Sequence, residues 1–327
     1  MTIRLLRGVV ILAVALSFTH VSAADTAHKI VRIGFVGTTS PSTFPSSINA
    51  FWDRLRELGY VEGQNLKIES RWAQGRLDRL PALMAEMVER KVDVIVTWGT
   101  PAVMAAARAT STIPIVFLGM GDPVGSGIAA SLARPGGNIT GFSAGWADIR
   151  GKWLEFLQEA VPRLSTVAVI ANPDNTLNRK EAQELQSIGP TRGLKVLIIF
   201  VREAEALDRA FEQARRGAQA VLVFSDPLTM SNTRRIVALA AKHRLPDMYV
   251  YRDSVHAGGL MAYGSDLAVV FRRSADYIDK ILKGAKPGDL PIEQPTQYFL
   301  AVNLKTAKAL GITIPQSILL RADGVIR

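Results

Sequence analysis

The chain has 327 residues with 48% hydrophobic content, long enough for two domains with substantial cores. It contains no cysteine, which excludes a disulfide frame, a thiolate metal site and a lipoprotein anchor. The formal net charge is +10, but the basic residues are scattered in pairs such as Arg215-Arg216, Arg234-Arg235 and Arg272-Arg273. They read as solvated helix faces and not as a nucleic-acid stripe.

In chain order, Arg4 and Arg7 precede an apolar run from Val9 to Phe18, and Val21-Ser22-Ala23 ends in small residues. Residues 1–24 therefore read as a cleaved secretory signal peptide. A β-branched strand opens the next section, Ile30 to Val36, followed by a polar loop holding Thr38, Thr39 and Ser40. Ile48, Phe51, Trp52, Leu55 and Leu58 then share one helix face, with Gly59 as its stop. A strand at 66–69, a helix through Leu80 and Val88, a strand at 92–96, a helix at 101–109 and a strand at 113–118 complete a β-α-β-α-β-α-β series. Such an order predicts a parallel sheet covered on both faces.

Between the third strand and its helix lies Trp98-Gly99-Thr100-Pro101. Thr100 is expected to N-cap the helix and Pro101 to occupy its first position, leaving free N–H groups suited to an anion. Residues 119–147 are rich in glycine and proline, with a short helix expected at 128–132 and the first crossing between lobes at 139–143. The βα rhythm then restarts, with strands beginning near residues 166, 195, 220 and 247 and helices over 149–161, 177–188, 204–216 and 229–243. The last seventy residues are too few for a third sheet and are expected to cross back and complete both lobes. The expected division is lobe one over 27–141, completed by about 259–290, and lobe two over 142–258, completed by about 291–327.

Chemical motifs are sparse. Gly141-Phe142-Ser143-Ala144-Gly145 matches the G-x-S-x-G nucleophile elbow, but Arg134-Pro135-Gly136-Gly137-Asn138 before it cannot form a central strand. A secreted α/β hydrolase using Ser143 is the alternative from another class. Gly119-Met120-Gly121 lacks the rest of a dinucleotide fingerprint, and the four histidines have no metal-ligand spacing. No cofactor, no metal and no catalytic residue is assigned.

What recurs is a polar turn residue at one strand end after another. These are Thr38, Thr39 and Ser40, then Thr100, then Asp122 in lobe one, and Asn172, Asp174 and Ser225-Asp226 in lobe two. Open α/β sheets bind ligands outside these ends, so two facing edges predict a cleft. The candidate ligand-binding residues are Thr39, Ser40, Trp98, Thr100, Pro101, Asp122, Asn172, Asp226 and Tyr263. Trp98, Phe142, Trp146 and Tyr263 lie beside the turns, where they would stack on a ligand or close the lobe packing.

Three further stretches are distinctive: Gly121-Asp122-Pro123-Val124-Gly125-Ser126-Gly127, Ala133-Arg134-Pro135-Gly136-Gly137-Asn138-Ile139-Thr140-Gly141 and Gly258-Gly259-Leu260-Met261-Ala262-Tyr263-Gly264. Together with Ile113-Pro114-Ile115-Val116-Phe117 and Leu310-Gly311-Ile312-Thr313-Ile314-Pro315, the chain resembles the substrate-binding proteins of ABC importers in the tryptophan/tyrosine-type family. The resemblance implies the type I periplasmic-binding fold, two Rossmann-like α/β lobes with parallel sheets joined by a hinge. It implies a periplasmic, monomeric protein that closes on a small molecule and meets an ABC permease in the inner membrane. It further implies that the turn at Gly99-Thr100-Pro101-Ala102 holds a ligand carboxylate and that Asp226 takes an ammonium. Pro227 and the loop Thr38 to Phe44 depart from the amino-acid binders, so the ligand is expected only to be an amino acid or other small metabolite. Ligand sensing for a chemoreceptor or sensor kinase is the rival use of the same fold.

Overall fold

The computed structural model describes residues 30–327, so the leader expected over 1–24 lies outside the described residues. The first lobe begins with β1 (Val31–Gly37), α1 (Pro45–Glu57), β2 (Leu66–Trp72), α2 (Leu80–Glu89), β3 (Val94–Thr97), α3 (Thr100–Ala109), β4 (Ile115–Met120) and β5 (Ile139–Ser143). Its five strands run parallel in the order β2-β1-β3-β4-β5. Every residue of β3 is buried, the signature of a strand covered on both faces.

The second lobe continues with α4 (Trp146–Ala160), β6 (Thr166–Ala171), α5 (Thr176–Thr191), β7 (Lys195–Phe200), α6 (Leu207–Gly217) and β8 (Ala220–Val223). Then come α7 (Pro227–Ser231), α8 (Thr233–Lys242), β9 (Asp247–Tyr249), α9 (Arg252–His256) and β10 (Met261–Gly264). The chain ends with α10 (Leu267–Leu282), β11 (Phe299–Asn303), α11 (Leu304–Leu310), α12 (Gln316–Arg321) and β12 (Gly324–Ile326). The second sheet has the order β12-β11-β10-β9-β8-β6-β7, parallel except where β11 runs against β10. Among the described residues no helix is long and apolar enough to cross a membrane.

The final seventy residues serve both lobes. Helix α10 lies against α1, where Arg54 Nε donates to Asp276 (2.8 Å), Tyr60 donates to Asp279 (3.0 Å) and Arg272 pairs with Glu57. Phe271 and Ile278 enter the same apolar core as Phe35 and Phe51. Thr140 donates to Leu290 O, and Ser143 N donates to Glu293 O, so 267–293 belongs with the first sheet. Strands β11 and β12 then return to the second. The chain thus crosses between lobes at 144–145, 265–266 and 294–298.

The structure departs from expectation at four places. Residues 259–264, expected to complete lobe one, include β10, which hydrogen-bonds to β9 and β11 in the second sheet. The stretch 139–143 is a full strand of the first sheet, so the crossing follows it. No helix forms over 128–132, because Pro123 and positive-φ Gly127 turn the chain there and Ile128 and Leu132 pack on the core individually. Finally, the helix expected over 229–243 breaks at Asn232, whose Nδ2 donates to Leu228 O and ends α7.

Candidate ligand site

The two sheets present the carboxyl ends of their strands to each other, and a narrow cavity lies between them. Thr38 reaches it from the end of β1, Trp98 to Pro101 from the end of β3, and Gly121 from the end of β4. The second lobe contributes Asn175 after β6, Ser225 and Asp226 after β8, and Tyr251 after β9. Trp146 at the start of α4 and Phe44 at the start of α1 close the sides.

The lobes touch across this space. Lys180 Nζ lies 2.6 Å from Asp122 Oδ2, and the Phe44 and Tyr251 rings meet edge to face at 6.0 Å. Backbone packing is tight enough that a Cβ added to Gly121 would fall 1.9 Å from Leu177 Cδ2 on the other lobe.

The Trp98 turn differs from its expected form by one residue. Gly99 is the N-cap of α3, at φ 80° and ψ 140°, a conformation open chiefly to glycine. Thr100 is consequently the first helical residue and makes no cap. Its Oγ1 instead faces the next strand end, with Gly121 N at 3.5 Å. Pro101 sits second in the helix and also lines the cavity. The indole of Trp98 packs in the first core, with ring centroids 5.5 Å from Phe35, 5.9 Å from Trp72 and 5.6 Å from Phe271.

Asp226 is the opposite pole. It is 1% exposed and N-caps α7 in a reciprocal capping box with Thr229. Oδ1 accepts from Asn172 Nδ2 and Leu228 N, each at 2.9 Å, while Oδ2 accepts from Asn175 Nδ2 at 2.9 Å. These donors leave Oδ2 with acceptor capacity to spare, since each carboxylate oxygen offers about two lone-pair sites. Burial pushes its carboxyl up, and the Asn172, Asn175 and Leu228 donors oppose the shift without cancelling it. None of the residues lining the cavity is a lysine or an arginine, so no side chain there neutralises Asp226.

Three donors at the cavity, Thr38 Oγ1, Trp98 Nε1 and Trp146 Nε1, are buried without a hydrogen-bond partner. Buried polar atoms are normally paired, and each unpaired one costs about 1–3 kcal/mol. The three residues line one space together with a buried carboxylate and several aromatic rings, a lining that suits a small polar molecule with an apolar body.

Of the residues selected from sequence, Trp98, Thr100, Pro101 and Asp226 line the cavity. Asn172 lies behind it and orients Asp226. Asp122 stands at the lobe contact, where burial works against its ionisation but Lys180 and Gly125 N hold its carboxyl below the usual range. Thr39 and Ser40 do not line the cavity. Thr39 is buried and donates to Ser40 O, and Ser40 bonds Ser42 and Thr43 within the loop. Tyr263 is also elsewhere, its ring beside Phe156 (5.0 Å) and Tyr298 (5.8 Å). The aromatics that do reach the site from this part of the chain are Tyr251 and Phe271. Phe142 likewise turns away, against Tyr277 at 5.2 Å.

Ser143 ends β5 and its Oγ accepts from Gly145 N at 3.3 Å. His243 Nε2 is buried without a hydrogen-bond partner, so it is no base for that hydroxyl.

A family described as "ABC transporter substrate binding protein" matches residues 40–326. The tyrosine-binding protein of Clostridioides difficile (strain R20291) is 26% identical over 284 residues, 87% of this chain and 82% of that protein. A conserved domain protein from Vibrio cholerae O1 biovar El Tor has a crystal structure with a TM-score of 0.84 at 26% identity, covering 91% of this chain and 100% of the other. A Streptococcus pneumoniae ABC domain crystallised with L-Trp gives a TM-score of 0.83 at 25% identity, over 90% and 99% of the two chains.

Proposed function

This chain belongs to the family of ABC transporter substrate-binding proteins, and from that premise we propose that it captures an α-amino acid with an aromatic or large apolar side chain. Members of this family that it matches are ligand-binding proteins and not enzymes, which retires the Ser143 hydrolase reading. The observation that carries the proposal is the buried Asp226 carboxylate, without a cationic partner, across the cleft from the N-terminus of α3. An ammonium fits the open lone pair of Asp226 Oδ2. A carboxylate fits the other wall, where the helix dipole and the Thr38 and Thr100 hydroxyls supply partial positive charge. The side chain then lies among Phe44, Trp98, Trp146 and Tyr251. The names of the tyrosine-binding relative and the L-Trp complex favour the same ligand class.

Capture proceeds by hinge closure about the three crossing segments, and the closed form is what an importer's permease recognises in the periplasm. The Lys180–Asp122 pair and the Gly121–Leu177 contact are the closed-state contacts in this reading.

A thermal-shift comparison tests it. Ligand that binds only the folded chain raises stability by RT ln(1 + [L]/Kd). L-tryptophan and L-tyrosine should raise Tm, whereas tryptamine and indole-3-propionate, each lacking one charge, should do so weakly or not at all. Equal shifts from all four compounds would contradict the two-pole site.

A further inference from the structure

Behind the cleft wall the second lobe encloses a charge cluster. Arg150, one turn along α4 from Trp146, faces Glu181 and Glu184 on α5. Glu181 is 1% exposed and Arg150 is also buried. Arg150 Nη1 is ion-paired with Glu184, while its Nε lies 3.7 Å from Glu181 Oε1, beyond hydrogen-bond range. Arg150 Nε and Glu181 Oε1 are both buried without a hydrogen-bond partner. Lys180, next to Glu181 in the chain, reaches across to Asp122 of the first lobe. The charges of Asp122 and Glu184 both act on Glu181, and Tyr251, lining the cleft, is a further ionisable group within its influence.

Resting on the closure reading above, we propose that Glu181 takes up a proton as the lobes close, acting as a positioning residue that links ligand capture to pH. In the closed form three carboxylates face two cations. Arg150 is shared between Glu184 and the more distant Glu181, and Lys180 pairs with Asp122, so a neutral Glu181 completes the charge balance. Opening removes the Asp122 charge from the neighbourhood of Glu181, which favours the ionised form. Burial pushes the closed-form carboxyl up to about 8, Arg150 opposing and Glu184 and Asp122 adding to the rise. A group raised in the closed form favours closure fully below its open-form titration. That contribution is lost as pH rises through about 8.

The chain has no cysteine, so an engineered disulfide can hold the lobes shut without side reactions. A Cβ on Gly75 would lie 3.3 Å from Ser231 Cβ across the cleft, just inside disulfide spacing, so the bond closes at the cost of backbone strain at Gly75, whose φ is 81°. In a Gly75→Cys/Ser231→Cys chain carrying carbon-13 at glutamate carboxyls, NMR follows the Glu181 titration, identified by its loss in E181Q. The oxidised form should titrate near 8 and the reduced form about one pH unit or more lower. D122N should move the oxidised midpoint downward. X-ray scattering on the same samples separates the readings. Indistinguishable scattering of oxidised and reduced forms defeats closure and with it this link. Distinct scattering with coincident midpoints defeats the proton link alone. In the chain without cysteines, L-tryptophan binding heats near pH 7.5, compared between buffers of different ionisation enthalpy, should show net proton uptake that E181Q abolishes. Zero uptake in the unaltered chain that binds L-tryptophan overturns the link.

Discussion

Asp226 combines two jobs that usually fall to different residues. It caps α7 and, with one oxygen still open, faces the cavity as its sole carboxylate side chain. Hydrogen bonds to a charged group contribute about 1.5–3 kcal/mol, so Asp226→Asn should weaken L-tryptophan binding about 10- to 100-fold in calorimetry. An unchanged Kd would remove Asp226 from the site. Trp98 gives a smaller and cleaner signal, because its ring packs in the core while its Nε1 lacks a partner. Trp98→Phe keeps an aromatic ring and deletes one donor. Affinity should fall about 3- to 10-fold, consistent with one neutral hydrogen bond, and a loss no larger than that of Trp72→Phe would count against the contact.

At the scale of elements, the turn after β4 controls how near the lobes approach. Gly121 has an ordinary backbone conformation, so a side chain there is resisted by Leu177 and not by backbone strain. Gly121→Val should lower ligand affinity at least about tenfold with little change in ligand-free Tm, and Leu177→Ala in the same chain should restore part of it. No rescue would mean that Gly121 acts within its own lobe. Helix α10 tests the other end of the chain. Phe271 packs on Trp98 from that helix, and Phe271→Ala should cost about 3–5 kcal/mol in denaturant unfolding. A cost under 1 kcal/mol would mean that α10 is not integral to lobe one.

The βα rhythm made most elements legible, because each buried parallel strand is an apolar run between amphipathic helices. The strand-end rule likewise picked out Thr100 and Asp226, which line the cavity. Thr39, Ser40 and Tyr263, picked out with them, do not line that cavity, since a turn residue's proximity to a strand end does not determine where its side chain points. Phe44 and Tyr251 satisfy the same rule, one after β1 and the other after β9, but nothing local distinguishes a cleft aromatic from a core one. Asn232 and the Gly99 cap show a related limit: a one-residue shift in a helix boundary changes which hydroxyl is free. The crossing at 265–266 was misplaced because β10 pairs by tertiary contact with β11, nearly forty residues on.

For the whole molecule, three crossing segments join two lobes whose facing strand ends enclose the site. In the proposed function an α-amino acid is gripped between these lobes and shuts them. Small-angle X-ray scattering of the chain, with and without saturating L-tryptophan, measures that event directly. The radius of gyration should fall with ligand, and an Asp226→Asn chain should contract only at much higher ligand concentration. Binding that leaves the scattering profile unchanged, or no binding by any α-amino acid, would contradict that function.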